Sequence, residues 1–362
     1  MRILSVIICF VFPLALFGQA SSPEDLNHAF ERLTNDEIVI GGSAGVIISG
    51  EVVWSETIGY SEVKSGTPFK DETVVRTASI AKPMTAVAVL QLFEKGLVGL
   101  DDPIQKYLPE FPEKPEGTIT IRHLLHHNSG IKHYKNGKEI ESRENYPTLS
   151  DAMNVFKDRK LAGIPGEVFV YSSYGYVVLG RIIEVVSGLD YETYMKTNIW
   201  DVCGMENTGV ETFGQPAKEQ TTFYHRSGNG KVKAVKKVNN LSNRIPAGGF
   251  YSTTTDILKF GHGVVSHKLI SAESLKLMME APEVTNDGNP YGMGWYLYGP
   301  NPKYGFVLGH SGGQTGTSSQ LMIFPEREAA IVVMTNTSGT WNEVVRTSVE
   351  LFPALDIFRN TP

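Results

Sequence analysis

Ser79 and Lys82, a serine and a lysine three positions apart in the segment TASIAKPM, are the strongest chemical candidates in the sequence. At the start of a helix this spacing places both side chains on one face, with the hydroxyl near the positive helix end. Pro83 lacks an N–H and fits only the first helical turn, so the helix should begin close to Ser79. An amine held uncharged by its surroundings would take the serine proton, and free backbone N–H groups would stabilise the oxyanion of an acyl-transfer reaction.

The same serine–lysine spacing occurs again at Ser61 and Lys64, at the end of a predicted strand just before Gly66. A strand end offers no helix to align the two side chains, so the spacing alone is a weak signal. What distinguishes the first pair is the helical period of residues 81 to 95, which ends at Gly96.

Three segments in a fixed order resemble the motifs of one enzyme superfamily. TASIAKPMTA is similar to its serine–lysine motif, and YSSYG, from Tyr171 after the turn at Pro165 and Gly166, is similar to its Tyr-x-Asn motif. HSGG, which begins at His310, is similar to its Lys-Thr-Gly motif in a His-x-Gly variant, and the stretches ITIRHLLHHNSGIKHY and AGGFYSTTTDILKFG also fit. The chain thus resembles the superfamily of penicillin-binding proteins, DD-peptidases, serine esterases and class C β-lactamases. It is most similar to the mitochondrial serine β-lactamase-like proteins and their bacterial relatives.

The resemblance implies a role for each matching residue. Ser79 would attack a carbonyl and form an acyl-enzyme, with Lys82 as its base. Tyr171, if neighbouring cations acidify its phenol, would activate the deacylating water, and Ser173 would relay protons or bind the substrate amide. The backbone N–H groups of Ser79 and Gly313 would form the oxyanion hole.

Two departures from the family motifs narrow the expected activity. His310, which is expected to bind substrate or relay a proton, stands where the β-lactamases and DD-peptidases present a lysine that helps to bind a substrate carboxylate. A fixed cation is therefore missing. Ser173 stands where many members have asparagine, and its shorter side chain should weaken amide recognition. These changes favour an esterase or DD-peptidase-like peptidase over an efficient β-lactamase. The alternative is a non-catalytic, penicillin-binding sensor that is acylated without turnover.

Hydrophobic patterning predicts strands at both ends of the chain and helices between them. Helices are expected at 24–35, 81–95, 176–186 and 341–352, and strands on either side of Ser49 and Gly50 and at 304–310, 318–324 and 329–336. This order predicts one α/β catalytic domain, 21–362, with an antiparallel sheet flanked by helices. Its sheet lobe would comprise 21–71 and 245–362, and an all-helical lobe 72–244, with the site at their junction.

Three other interpretations of the sequence compete with this one. GHSGG would make Ser311 the nucleophile of a different hydrolase fold, but a strand rather than a helix follows it and no later histidine exists. A histidine cluster could suggest zinc, yet acidic partners are few, so we expect no metal and no cofactor. The histidine cluster contains His123, His126, His127 and His133.

The basic hairpin 224–237 is a minor candidate for attracting anionic substrates.

Residues 1–20 have the pattern of an export signal: Arg2, an apolar stretch, then small residues at Gly18 and Ala20. We expect cleavage near 18–20 and a secreted or periplasmic protein without stable membrane insertion. A membrane anchor is the alternative, although the stretch is short for a span of roughly 20 residues. Cys9 does not fit a lipoprotein site because Ile8 precedes it.

Composition excludes several function classes. With 41% hydrophobic and 20% charged residues the chain suits a soluble enzyme with a large core. Its net charge of −6 argues against a nucleic-acid partner, which leaves a small molecule or peptide as the substrate. Loss of the export signal would leave Cys203 alone, so no internal disulfide is expected.

Overall fold

The structure, a computed structural model, describes residues 20–359. The predicted export signal lies outside these residues except for Ala20. Between residues 20 and 359, no helix combines the length and apolar character needed to cross a bilayer.

Long strands occur near both ends of the described chain, and short ones occur between them. The strands are β1 (Gly41–Ile48), β2 (Glu51–Glu62), β3 (Thr67–Pro68), β4 (Val75–Arg76), β5 (Gly209–Val210), β6 (Tyr224–Arg226), β7 (Val232–Ala234), β8 (Phe250–Ser252), β9 (Tyr296–Asn301), β10 (Gly305–Gln314), β11 (Thr317–Phe324), β12 (Ala329–Thr335) and β13 (Thr337–Ser338).

The longest helices include those that the sequence predicts. The helices are α1 (Pro23–Asn35), α2 (Ala81–Glu94), α3 (Ile121–Leu125), α4 (Gly137–Ile140), α5 (Leu149–Met153), α6 (Ser173–Ser187), α7 (Tyr191–Met195), α8 (Asp201–Cys203), α9 (Ile245–Gly248), α10 (Thr254–Val265), α11 (Ala272–Met278), α12 (Trp341–Glu350) and α13 (Ala354–Ile357).

One seven-stranded sheet is built from both ends of the chain, as the strand pattern predicts. Its order is β3-β2-β1-β12-β11-β10-β9, and every neighbouring pair is antiparallel. The turn between β1 and β2 has positive φ angles of 48° at Ser49 and 90° at Gly50. Two positive φ angles give a hairpin turn whose twist matches that of the strands it joins.

Helices cover both faces of this sheet, which explains the continuous apolar run of β12. Ile331 and Val333 join the core formed with α1 and α12, whereas Val332 and Met334 join the core that includes α10. Alternate residues of a strand face opposite sides, so a strand buried on both sides is apolar throughout.

The lobe that the sequence predicts as helical is organised around α2 and α6. Every residue of α2 from Ala81 to Leu92 is buried, which marks it as a central core helix rather than a surface one. Both helices end before a glycine with positive φ, Gly96 at 69° and Gly188 at 73°, and Asp190 caps the next helix.

The intervening segment is not entirely helical. Strand β4 joins β5 and β8 in one small sheet, and β6 and β7 join β13 in another. These strands have two or three residues each, which is too short for the alternation by which a strand is detected in a sequence. The lobe predicted as all-helical therefore also contains β4 to β7.

Candidate active site

Ser79 lies on a tight turn that connects β4 to α2. The turn, Ala78–Ile80, has 3-10 geometry, and Ala78 has a φ of 49°. A left-handed conformation costs a non-glycine residue roughly 1–2 kcal/mol and persists where neighbours impose it. Here Ser319 Oγ donates to the Thr77 carbonyl oxygen at 3.0 Å, and the Thr77 N–H donates to the Phe250 carbonyl oxygen at 2.9 Å. The neighbouring strands thus fix the position of Ser79.

Lys82 lies within hydrogen-bond reach of Ser79. Its Nζ atom is 3.0 Å from Ser79 Oγ and donates to the Ala247 carbonyl oxygen at 2.9 Å. The side chain is fully buried, and this burial, assisted by the positive charge of Arg244, holds the pKa of Lys82 well below its usual value. An uncharged amine at this position can accept the Ser79 proton.

Tyr171 lies beside both residues, in the segment that leads into α6. Lys82 Nζ is 4.8 Å from the centroid of the Tyr171 ring. Burial raises the pKa of Tyr171 well above its usual value, and the Ser79 hydroxyl lowers it only in part. Burial thus opposes the acidification that the resemblance requires of Tyr171. The direction of the shift favours a neutral phenol over a phenolate.

Ser173 begins α6, two residues after Tyr171. It is buried, and its N–H donates to His133 Nδ1 at 3.1 Å. Ser172 caps the helix, since its Oγ accepts from the Gly175 N–H at 3.2 Å. The helix start therefore holds Tyr171 and Ser173 on a short, fixed segment.

The role expected of His310, binding substrate or relaying a proton, stays a prediction, and in the structure its ring contacts other parts of the protein. Its Nδ1 is 2.7 Å from the Ser311 carbonyl oxygen and must donate to it, so Nε2 accepts from the Tyr291 hydroxyl at 3.1 Å. Burial lowers the pKa of His310 to about 3. Both ring nitrogens contact protein atoms, and the lowered pKa favours the uncharged ring over the cation that the family lysine supplies.

Gly313 lies on β10, which packs against the turn that carries Ser79. A Cβ atom at Gly312 would come within 2.4 Å of the Thr77 carbonyl oxygen and 3.1 Å of the Ala78 Cβ. At Gly313 the corresponding position is open, with no atom within 4 Å. Gly312 thus brings β10 close to the turn that carries Ser79. An oxyanion hole between the N–H groups of Ser79 and Gly313 stays a prediction.

Two histidines of the cluster considered for zinc have another role. His127 Nδ1 accepts from the Ser172 N–H at 3.2 Å, and His133 Nδ1 accepts from the Ser173 N–H. Across residues 20–359 no group of three or more metal-binding side chains is present. Sequence reasoning missed these contacts, although the stretch HHNSGIKHY was already part of the resemblance.

The other two serines considered as nucleophiles do not lie at the start of a helix. Ser311 lies within β10 rather than before a helix, which confirms the rejection of the GHSGG elbow. Ser61 lies in β2, and no helix follows it as far as Lys64.

Comparison with known proteins places this chain in a family. The family model described as Beta-lactamase matches residues 26–352. The human mitochondrial serine beta-lactamase-like protein LACTB is 30% identical over 84% of this chain and 72% of its own length. Penicillin-binding protein 4* of Bacillus subtilis is 28% identical over 86% of this chain and 71% of its own. The octameric penicillin-binding protein homologue from Pyrococcus abyssi superposes with a TM-score of 0.78 at 26% identity, covering 92% and 77% of the two chains.

The fold and the family match are those of a serine hydrolase of the β-lactamase and penicillin-binding-protein class. The chain belongs to the beta-lactamase family, and its predicted membership and fold class are confirmed.

Proposed function

We propose that the protein hydrolyses esters or short peptides through an acyl-enzyme on Ser79. The observation that carries this proposal is the fully buried Lys82, whose Nζ lies 3.0 Å from Ser79 Oγ. A buried amine without a carboxylate partner loses its proton easily, and this makes it a general base at neutral pH.

The reaction proceeds in two steps. Ser79 Oγ attacks the carbonyl carbon while its proton passes to Lys82, and the N–H groups of Ser79 and Gly313 stabilise the oxyanion. The leaving group departs with the proton from Lys82, which Tyr171 relays as a neutral phenol. Water then attacks the acyl-serine, gives its proton to Lys82 by the same route, and the proton returns to Ser79 Oγ. No metal or cofactor is needed.

The surroundings of Ser79 favour substrates that do not depend on a carboxylate contact. The uncharged His310, with both nitrogens bound by the protein, supplies no cation for such a group. Ser173 offers one hydroxyl where an asparagine would offer an amide. Esters and peptides are therefore better substrates than β-lactams, and the reaction takes place outside the cell or in the periplasm once the export signal is removed.

One observation favours a sensor as the second candidate. The raised pKa of Tyr171 leaves no phenolate to activate the deacylating water. If the neutral phenol relays protons poorly, the acyl-enzyme accumulates and the protein reports an acylating ligand instead of turning it over.

A comparison of two chromogenic substrates tests both candidates. We would measure hydrolysis of a p-nitrophenyl short-chain ester and a chromogenic cephalosporin by the wild-type protein and by Ser79→Ala. The proposal expects repeated ester turnover that the substitution abolishes, and little cephalosporin cleavage. A single stoichiometric burst favours the sensor, rapid cephalosporin turnover favours a β-lactamase, and equal activity of the two proteins excludes Ser79.

A further inference from the structure

His127 contacts the segment around Tyr171 from three directions. Its Nδ1 accepts from the N–H of Ser172, the residue after the tyrosine, at 3.2 Å. Its carbonyl oxygen accepts from the N–H of Val170, the residue before the tyrosine, at 2.8 Å. Its ring lies 4.3 Å from the Tyr171 ring, centroid to centroid. One residue therefore holds both flanking peptide groups and one side of the phenol.

This arrangement is costly for the folded state. His127 is buried and has a φ of 61°, a conformation that a side chain with a Cβ rarely adopts. Because Nδ1 accepts a hydrogen bond, the ring proton is on Nε2, and that atom has no partner among residues 20–359. Backbone strain of this kind persists where the surrounding structure imposes it and is concentrated at functional sites, and the three contacts with the Tyr171 segment are what the strained His127 provides.

We propose that His127 is a positioning residue that holds the Tyr171 phenol where it relays protons between Lys82 and the water that hydrolyses the acyl-enzyme. The inference rests on the proposed function, since it assigns to His127 the geometry of one group in that reaction. His127 itself exchanges no proton, because burial holds its pKa well below the usual value and the ring stays neutral.

Two substitutions separate the contacts of His127 without adding backbone strain. His127→Asn keeps an acceptor, since Asn Oδ1 corresponds to His Nδ1, and asparagine tolerates positive φ. His127→Gly also tolerates positive φ but removes both the acceptor and the ring. His267 provides the matched control, because it is exposed and has a φ of 59°, so His267→Gly makes the same backbone change at a distant surface position.

The test is stopped-flow hydrolysis of a p-nitrophenyl ester, in which p-nitrophenolate leaves without a proton and Lys82 releases the proton of Ser79 to solvent before water attacks the acyl-enzyme. Formation of the acyl-enzyme then does not need the Tyr171 relay, but its hydrolysis does. We expect His127→Gly to keep the rate and amplitude of the initial burst while its steady-state kcat falls on the order of tenfold to a hundredfold. His127→Asn should fall between His127→Gly and the wild type, and His267→Gly should match the wild type.

A double-mutant cycle with Tyr171→Phe shows whether the effect passes through the tyrosine. We expect His127→Gly to add no further loss of kcat in that background. A burst amplitude that falls in proportion to kcat indicates loss of folded protein in His127→Gly. The inference is overturned if His127→Gly lowers kcat as much in the Tyr171→Phe background as it does with the tyrosine present.

A second variant covers the case in which His127→Gly does not fold. The steady-state kcat of His127→Asn is then the deciding measurement, and a wild-type value in that variant overturns the inference. Failure of the proposed function is recognised separately, by wild-type activity that survives Ser79→Ala.

Discussion

The Ala247 carbonyl oxygen lies 2.9 Å from Lys82 Nζ and is the protein group, besides Ser79, to which the described structure bonds this amine. A carbonyl oxygen can accept an N–H from either form of the amine, so this bond fixes the direction of Nζ without charging it. The nitrogen lone pair is then free for the serine proton. The contact joins α9 to α2 and sets the geometry on which catalysis depends.

Replacing Lys82 by Met should remove activity but not stability. Methionine has a similar length and no charge, so it fills the buried space without an amine to desolvate. We expect kcat/KM for the ester to fall by roughly 10²–10⁴-fold and the urea midpoint to stay equal or rise. Lys95→Met, at the exposed end of α2, is the control and should change neither value. A Lys82→Met protein that unfolds more easily than the wild type would contradict the buried, uncharged amine.

Stability should fall on acidification in a way that His310 explains. Its pKa is about 3 in the folded protein and near 6.5 in an unfolded chain. Between these values the unfolded state binds a proton that the folded state does not, so stability decreases as the pH falls from 6.5 towards 3. His310→Gln should reduce this slope by up to about 1.4 kcal/mol per pH unit.

Urea unfolding of the wild type and of His310→Gln between about pH 7 and about pH 4.5 measures the difference between their slopes of stability against pH. Above about pH 7.5 a histidine is neutral in both states, and the two slopes should agree there. Equal slopes at acidic pH would mean that His310 is not held neutral by the fold.

Ser173→Asn should shift the preference from esters towards amides. The longer side chain restores an amide group that can bond a substrate amide, and one such bond contributes about 1 kcal/mol, or roughly fivefold in kcat/KM. The measurement compares a p-nitrophenyl ester with the p-nitroanilide of the same acyl group. An unchanged ester-to-anilide ratio would show that Ser173 does not face the substrate.

Adjacent glycines on β10 should respond differently to alanine. Gly312→Ala places a methyl group 2.4 Å from the Thr77 carbonyl oxygen, so the turn bearing Ser79 must move. We expect a loss of about 1–3 kcal/mol of stability and most of the activity. Gly313→Ala enters open space and should fold like the wild type. Thermal unfolding of the two variants tests the contrast, and equal unfolding temperatures would contradict the close approach of β10 to this turn.

Much of the fold could be predicted because its elements carry strong local signals. Alternating or continuous apolar runs indicated β1, β2, β11 and β12, and the glycine after α2 marked its end. The pairing of the first strands with the last followed from their order in the chain. Strands of two or three residues carry no such period, so β4 to β7 were missed.

The chemistry of the site was only partly visible in the sequence. Residue types and spacing indicated Ser79 and Lys82, the family resemblance added Tyr171, and the structure places the three side chains together. Charge states depend on burial and on partners distant in sequence, such as Tyr291 for His310. For that reason the neutral phenol of Tyr171 and the occupied nitrogens of His310 could not be read from motifs.

Mapping the acyl group tests the central claim most directly. The protein is mixed with a p-nitrophenyl ester, quenched in acid within the burst, digested and analysed by mass spectrometry. We predict one acyl group per protein, on Ser79, and none in Ser79→Ala. Acylation of another residue, or ester turnover by Ser79→Ala at the wild-type rate, would contradict the account.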